Sequence, residues 1–347
     1  MELYEADSGR EVGHWQESPC GKRVRIGEVE VEAHNAGHVL GSAQCEVITP
    51  EGTIVYASHL GLDETSLTRR AEVVPCDLLV IEAPFATVHQ NERESVVADI
   101  VKWALECVND HRIPALISDP IGHAQELVRT FNLWTKIPVI VHPRIARLNQ
   151  VYENHGTSLH YLDASTEEAV NLVEGGQCIV IVPKRFDTTR YGNFRVATVS
   201  DRAARFEGGD DGQRVFPLNT QPDLNQLLEY VKEVKPRSVL TFYGASAALA
   251  QMISNRLDVP ARQVTSERPA RKPQKPKVDE RRMLALQEIL MRFIETPGYM
   301  YDRRDIASVA VNKGFRSVEI EEALERLTKN GKLEYSRLAD GYTLTSA

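Results

Sequence analysis

His38, His59, Asp63 and Glu82 are among the side chains of this sequence whose types can bind a divalent cation. His38 stands in AHNAGHVLGSAQ (residues 33–44), just before a Leu-Gly-Ser turn. His59 lies in IVYASHLG, and Glu82 ends the apolar run LLVIE. A two-metal hydrolytic centre needs enough imidazole and carboxylate donors to hold ions about 3.5–4 Å apart. A catalytic zinc needs three protein donors and an open position. Each candidate also has a structural reading. His38 can be bonded to backbone or to Glu82 beside a tight Gly41-Ser42 turn. His34 and His59 can be surface or satisfied core residues. Glu82 can be an acid retained at a strand end or a cap for the next helix.

A second set of residues suits phosphate contact. Lys184, Arg185, Arg190, Arg195, Arg202 and Arg205 interleave with Phe186, Tyr191 and Phe194, which fits backbone charge with base stacking; a solvated loop is the alternative. From Arg262 to Arg282 eight basic residues face three acidic ones, Arg271, Lys272, Lys275 and Lys277 among them. Pro269, Pro273 and Pro276 prevent a helix there, so the stretch reads as an extended basic tether.

The composition sets outer limits. The chain has 347 residues, 42% hydrophobic and 26% charged, with a net charge of -8, enough for two or three soluble domains. No run approaches the roughly 20 apolar residues of a membrane helix, and the first residues lack a signal-peptide pattern. Five scattered cysteines without a Cys-x-x-Cys pair argue for reduced thiols in a cytoplasm and against a zinc ribbon or disulfide frame. No phosphate-binding glycine loop, dinucleotide fingerprint or Ser/His/Asp order stands out.

The elements that would position these residues follow from periodicity. Val24–Glu32 alternates apolar and charged residues and predicts one half-buried strand. Cys45–Ile48 and Thr53–Ala57 flank Pro50-Glu51-Gly52 as a hairpin. Leu78–Ile81 predicts a buried strand, and Asn91–Val108 a helix. Strands at 115–117, 139–141 and 178–182 alternate with helices at 123–134 and 143–152, a doubly wound rhythm. A helix at 223–234, a strand at 238–242 and a helix at 245–257 follow. Cys178 reads as core. Beyond the tether, helices at 281–295, 302–312 and 317–329 precede two short strands around Ala339-Asp340-Gly341, the layout of a winged helix. Its third helix carries Glu319, Glu321, Glu322 and Glu325, a poor composition for touching phosphates.

In order, AGHVLGSAQ, IVYASHLG, CDLLVIEAPFA, SDPIGHAQELVRTF, ATVSDRA and FPLNTQPDLNQLLEYVKEVKPRSVLTFYG resemble segments of the metallo-β-lactamase-fold nucleases of the β-CASP group. The similarity is greatest to the branch of ligase-associated DNA exonucleases and archaeal mRNA 3′-end-processing factors, over roughly residues 24 to 262. The resemblance implies an α/β fold: a shortened metallo-β-lactamase-like αββα half (residues 1–88 and 206–262), a doubly wound β-CASP insert (89–205), a basic linker (263–279) and a winged-helix domain (280–347). It places a metal ligand at His38, the bridging aspartate's position at His59, and the first β-CASP acid at Glu82.

The departures from that pattern carry the functional expectation. The family's His-x-His-x-Asp-His signature precedes the third motif by several dozen residues, but only 37 residues precede His38 here, with His14 and His34 among them. The bridging aspartate is His59, the histidine of Ser-Asp-His-Ala-Asp is Gln221, and the final His-Gly is Tyr243-Gly244. Glutamine and tyrosine are weak ligands and poor proton shuttles at neutral pH. The expectation is a cytoplasmic, non-catalytic protein with no cofactor. It would bind RNA or single-stranded DNA, or act as a scaffold beside an active nuclease relative, a helicase, a ligase or a second copy, much as the silent partner of eukaryotic pre-mRNA cleavage complexes does. Two alternatives stay open: a zinc- or manganese-dependent nuclease rebuilt on His38, His59, Glu82 or Asp63, and a protein-only adaptor.

Overall fold

A computed structural model of the chain describes residues 1–13, 18–84, 92–184, 193–201, 214–264, 280–296, 301–315, 317–336 and 341–345. Two compact units are present, one within residues 1–265 and one beyond.

The first unit opens with helix α1 (Glu2–Ser8), followed by strands β1 (Arg23–Ile26), β2 (Val29–Asn35), β3 (Ala43–Thr49), β4 (Gly52–Ala57) and β5 (Leu78–Glu82). The alternating 24–32 segment is therefore two strands, not one. Ile26 pairs with Val29 across a two-residue loop whose first residue, Gly27, has φ 63°, a conformation that glycine enters without strain. Alternation continues through a tight hairpin, so periodicity alone could not reveal the break.

Helix α2 (Arg93–Asn109), β6 (Ile113–Ser118), α3 (His123–Trp134), β7 (Val139–Val141), α4 (Pro143–Asn154), β8 (Leu162–Asp163), α5 (Glu167–Gly175), β9 (Ile179–Pro183), β10 (Phe194–Val199) and β11 (Arg214–Phe216) build a second sheet. Its order is β11-β10-β6-β9-β7-β8, and every pairing is parallel. This is the mixed helix-and-strand architecture the alternation predicts, because parallel neighbours need helical crossovers that cover both faces. Strand β9 is buried at all five positions, and Leu127, Val128 and Phe131 of α3 pack into the same core. Truncating one of these, as in Leu127→Ala, would cost about 2–5 kcal/mol.

The chain then returns to the first sheet through α6 (Leu224–Val234), β12 (Ser238–Phe242), α7 (Ser246–Leu257) and β13 (Ala261–Gln263), giving the order β1-β2-β3-β4-β5-β12-β13. Strands β1 to β4 are antiparallel neighbours, while β4, β5, β12 and β13 run parallel. Asp223 caps α6 by accepting from the Gln226 amide, and the Gln226 side chain returns to the Asp223 N–H, a reciprocal capping box. Tyr230, Val231 and Leu249 press α6 and α7 against Val55, Leu79 and Ile81.

The second unit contains α8 (Glu280–Phe293), β14 (Tyr301–Asp302), α9 (Arg303–Asn312), α10 (Ser317–Lys329), β15 (Leu333–Ser336) and β16 (Gly341–Leu344), with sheet order β14-β16-β15. Met283, Leu286, Leu290, Ile306 and Leu324 are buried in its core. Among the described residues no helix is long and apolar enough to cross a membrane.

Candidate functional site

The carboxyl ends of parallel strands converge where open α/β sheets usually place their ligands. From the first sheet, Ser58 and His59 follow β4, Glu82 ends β5, and Tyr243 follows β12. From the second, Asp119 follows β6 and Asp201 comes two residues after β10. His38 enters from the β2–β3 loop and Thr220 from the segment ahead of α6.

Close backbone contact fixes the two histidine loops. The Gly61 N–H donates to Ala36 O (2.8 Å). A Cβ on Gly37 would stand 2.3 Å from Gly61 O, and one on Gly61 2.1 Å from Gly37 O. No side chain fits at either position. His59 and Tyr243 both hold positive φ (50° and 60°), a cost that bulky residues rarely carry away from functional sites. Both are positions where the sequence departs from its resemblance.

Those side chains are already engaged. Glu82 Oε2 accepts from Ser58 Oγ (2.6 Å) and the His59 N–H (2.9 Å), and lies 3.1 Å from His59 Nδ1. The bond to Glu82 raises the His59 imidazole above its usual range. Burial alone would push Glu82 up, but the bonds from His59 and Ser58 outweigh it and hold the carboxyl at about 2. Glu82 therefore neither caps α2 nor offers a free oxygen pair; it locks the turn after β4. His38 Nδ1 bonds to Thr220 O (3.2 Å), the backbone version of its structural reading, and burial lowers its pKa, keeping the ring neutral. The His38 and His59 rings are 5.5 Å apart. Asp63 accepts from Gln226 Nε2 (2.6 Å).

Two residues that the sequence reading did not single out complete the cleft. His123, at the first turn of α3 and 2% exposed, bonds through Nε2 to Leu218 O (2.7 Å) and lies 3.6 Å from Asp201 Oδ1. Burial lowers the His123 pKa, but Asp201 more than offsets this and the net shift is upward. Asp201 also accepts from the Thr220 N–H and hydroxyl. The available signal was positional: Asp119 and His123 are four residues apart across a strand-to-helix junction, and Asp201 lies two residues beyond the end of a strand. Between the loops a cavity of about 20 Å³ is bounded by His38, Asp63, Arg93, Glu126, Tyr152 and Thr220, room for about one water. Arg93 pairs with Glu126 and donates to Asn219 O.

Among the described residues the cleft gathers no three ligand atoms close enough to hold one cation, short of what a hydrolytic pair needs. Among the described residues only Glu32, His34 and Glu46 bring three potential ligand atoms within 4.8 Å of one another, and they lie on β2 and β3, away from the cleft. There His34 Nε2 meets Glu46 at 2.8 Å, Nδ1 meets Glu72 at 3.4 Å, and Arg23 holds Glu32, a satisfied ion-pair cluster.

Of the phosphate-contact candidates, Lys184 is paired with Asp119 (2.6 Å) and Arg195 with Asp110 (3.3 Å). Arg185, Arg190, Arg202, Arg205, Arg271, Lys272, Lys275 and Lys277, as well as His14, lie outside the described residues. Cys178 is fully buried, and all five cysteines are free thiols.

No family model matches this chain. The "Probable DNA ligase" of Opitutus terrae is 28% identical over 239 residues, 65% of this chain and 22% of that protein. The "RNase aCSPSF2" of Saccharolobus solfataricus is 26% identical over 111 residues, 31% of this chain and 23% of that protein. The chain thus spans less than a quarter of the length of these relatives. A crystal structure of a protein of unknown function from Enterococcus faecalis aligns over 74% of this chain and 67% of its own, with 14% identity and a TM-score of 0.49.

Proposed function

We propose that this chain is a non-catalytic relative of the β-CASP nucleases that holds single-stranded RNA or DNA, or acts as a scaffold, within a nucleic-acid-processing assembly. One observation carries the reading: the three cleft histidines each engage a protein partner, His38 with Thr220 O, His59 with Glu82 and His123 with Leu218 O. With one ring nitrogen engaged, each of these rings can offer a metal at most its other nitrogen, one donor where a two-metal centre needs many.

The names of the two relatives, a ligase and an RNase, support a setting in nucleic-acid processing. The order helix, short strand, two helices and β-hairpin in the second unit supports a winged-helix domain. Four of its acidic side chains on α10 are tied to Arg282, Arg303, Arg326 and Lys329, which favours protein contact by this helix and leaves strand binding to the basic segments. Free cysteines fit a cytoplasmic setting. The partner in this reading is an active nuclease, a helicase, a ligase or a second copy of the chain.

The test is binding of fluorescent single-stranded RNA and DNA to the purified chain, with and without chelator, alongside hydrolysis assays supplemented with zinc or manganese. The expected result is binding that ignores chelator, weakens with salt and yields no cleavage. Metal-dependent cleavage lost in His38→Ala would establish the rebuilt nuclease instead. Absent or salt-insensitive binding would favour the protein-only adaptor.

A further inference from the structure

We propose that the turn from Tyr243 into α7 is a nucleotide subsite for an unpaired strand, in which the Tyr243 ring stacks on a base and the first turn of α7 receives the adjoining phosphate. This deepens the functional reading above and rests on it.

Tyr243 is fixed at its backbone and open at its ring. Side chains alternate along β12, so an extended chain would put Tyr243 on the face of Thr241, which is fully buried. The chain instead turns left-handed at Tyr243, with φ 60°, and the ring stays 63% exposed at the carboxyl end of the strand. None of the hydrophobic cores includes it. Three backbone bonds hold the turn. The Ala83 N–H donates to Phe242 O (3.1 Å), the Ala245 N–H to Ala83 O (2.9 Å), and the Ser246 N–H to Tyr243 O (3.1 Å). A Cβ on Gly244 would stand 2.4 Å from Ala83 O, so the two loops meet backbone to backbone. A bulky side chain strains the left-handed conformation, and such strain gathers at ligand sites.

The helix that follows lacks acceptors for its first donors. Helix α7 has 12 residues, no side-chain cap at Ala245 and no acidic residue in its first turn. The Leu249 N–H reaches Ala245 O (3.1 Å), but the Ala247 and Ala248 N–H groups have no acceptor among the described residues. Ser246, the first residue of the helix, is 1% exposed, and its Oγ has no hydrogen-bond partner. A hydroxyl left unpaired at that depth is costly. Gly244 and Ala247, on either side of it, are exposed.

The two features together select the occupant. Two bare amides and a hydroxyl at the positive end of a helix call for an anion, phosphate above all. An exposed ring three residues ahead of Ser246 offers a flat surface that a free phosphate or a carboxylate does not use. A nucleotide brings both parts on one unit, and stacking of a base on an aromatic ring accepts every base. The basic segments supply charge along the strand. This turn adds a hold on one nucleotide, at a strand end of the kind where open α/β sheets place their ligands.

The test is fluorescence anisotropy on the full chain, with short labelled uridine and thymidine homopolymers and an abasic strand of equal length. Tyr243→Gly should weaken binding of the base-bearing strands at least about fivefold and leave the abasic strand unchanged. Its Tm should stay at or above that of the unaltered chain, because glycine adopts this turn without strain. Tyr243→Phe keeps the ring and should bind within about twofold of the unaltered chain. Ala247→Glu supplies the helix terminus with its own carboxylate, so it should hold Tm while weakening both kinds of strand about two- to fivefold. If Tyr243→Gly does not fold, Tyr243→Asn, whose side chain tolerates the left-handed region, decides in its place. Undiminished binding of base-bearing strands by the ring-less variant, equal weakening on base-bearing and abasic strands, or undiminished binding by Ala247→Glu each overturns the subsite and leaves the functional reading standing. An unaltered chain that binds none of the strands removes that reading and the subsite with it.

Discussion

His59 Nδ1 and Glu82 Oε2 stand 3.1 Å apart where two parallel strands end side by side. The resemblance leads one to expect two acidic groups at these positions, sharing cations. Here one is an imidazole, and the bond to Glu82 raises its pKa above the ordinary histidine range.

This pair makes stability depend on pH in two directions. Glu82, at about 2 in the folded chain against 4.5 for an ordinary glutamate, contributes stability above pH 4.5 that disappears as pH falls toward 2. His59, raised above 6.5, contributes stability below pH 6.5 that disappears as pH rises through its folded value. The pair is therefore most stabilising between about pH 4.5 and 6.5. Glu82→Gln should cost at most about 3 kcal/mol in that window, with a smaller loss in alkali, where the bonds from Ser58 Oγ and the His59 N–H remain. Thermal melts of both proteins from acid to alkali check this; a Tm difference independent of pH would contradict it.

Replacing His59 with aspartate supplies a carboxylate without supplying the missing donors. Gln221 and Tyr243 still occupy the neighbouring positions, and His38 is still tied to Thr220. An aspartate beside Glu82 exchanges an attraction for a repulsion. His59→Asp should lower Tm, leave the metal content of the purified protein unchanged, and confer no hydrolysis. Plasma emission spectrometry and a single-strand cleavage assay measure the last two. Stoichiometric zinc or manganese in the variant would mean the cleft had kept more ligands than its geometry allows.

Much of this architecture was legible because it rests on local signals. Helix α3 begins and ends where the apolar spacing places it, and β15 and β16 pair antiparallel as the closing ribbon; of the expected turn, Gly341 lies in β16, and Ala339 and Asp340 lie outside the described residues. The β1–β2 break escaped notice because Gly27-Glu28 interrupts the alternation without disturbing its phase. Strands β8, β11 and β13 are only two or three residues long, too short for a period to show. At the site, His38, His59 and Glu82 were found through motif order. His123 and Asp201 were not, because their roles depend on a contact between segments 78 residues apart. On the first sheet, VRIGEVEVE announces an apolar face, but no sequence pattern says what packs on it.

Asp201, to which the sequence reading gave no role, should matter for stability. Its carboxylate is mostly buried, accepts from Thr220 N and Oγ1, and faces the buried His123 ring. Asp201→Asn leaves that ring without its counter-charge and loosens the loop that holds His38. Breaking a buried pair from one side typically costs about 3–5 kcal/mol. Asp201 is 16% exposed at the side chain, so about 2–3 kcal/mol is expected. Urea titration at neutral pH measures it, and a change within about 0.5 kcal/mol, the range of ordinary surface substitutions, would show that Thr220 and His123 find other partners.

The salt dependence of binding should locate the strand-holding surface. Lys184 and Arg195 are already neutralised by Asp119 and Asp110, so each would have to give up a carboxylate to reach a phosphate. The four bases at Arg271, Lys272, Lys275 and Lys277 lie within seven residues that include Pro273 and Pro276, an arrangement that resists helix formation and suits laying charge along a strand. Each phosphate contact on a single strand contributes about 0.7 to the slope of log K against log salt. Changing all four to glutamine should therefore lower the slope by up to about 3, while Lys184→Gln with Arg195→Gln changes it little. Anisotropy titrations at several salt concentrations compare the two variants directly. A larger fall in slope for the Lys184 and Arg195 pair would move the binding surface to the second sheet and away from the tether.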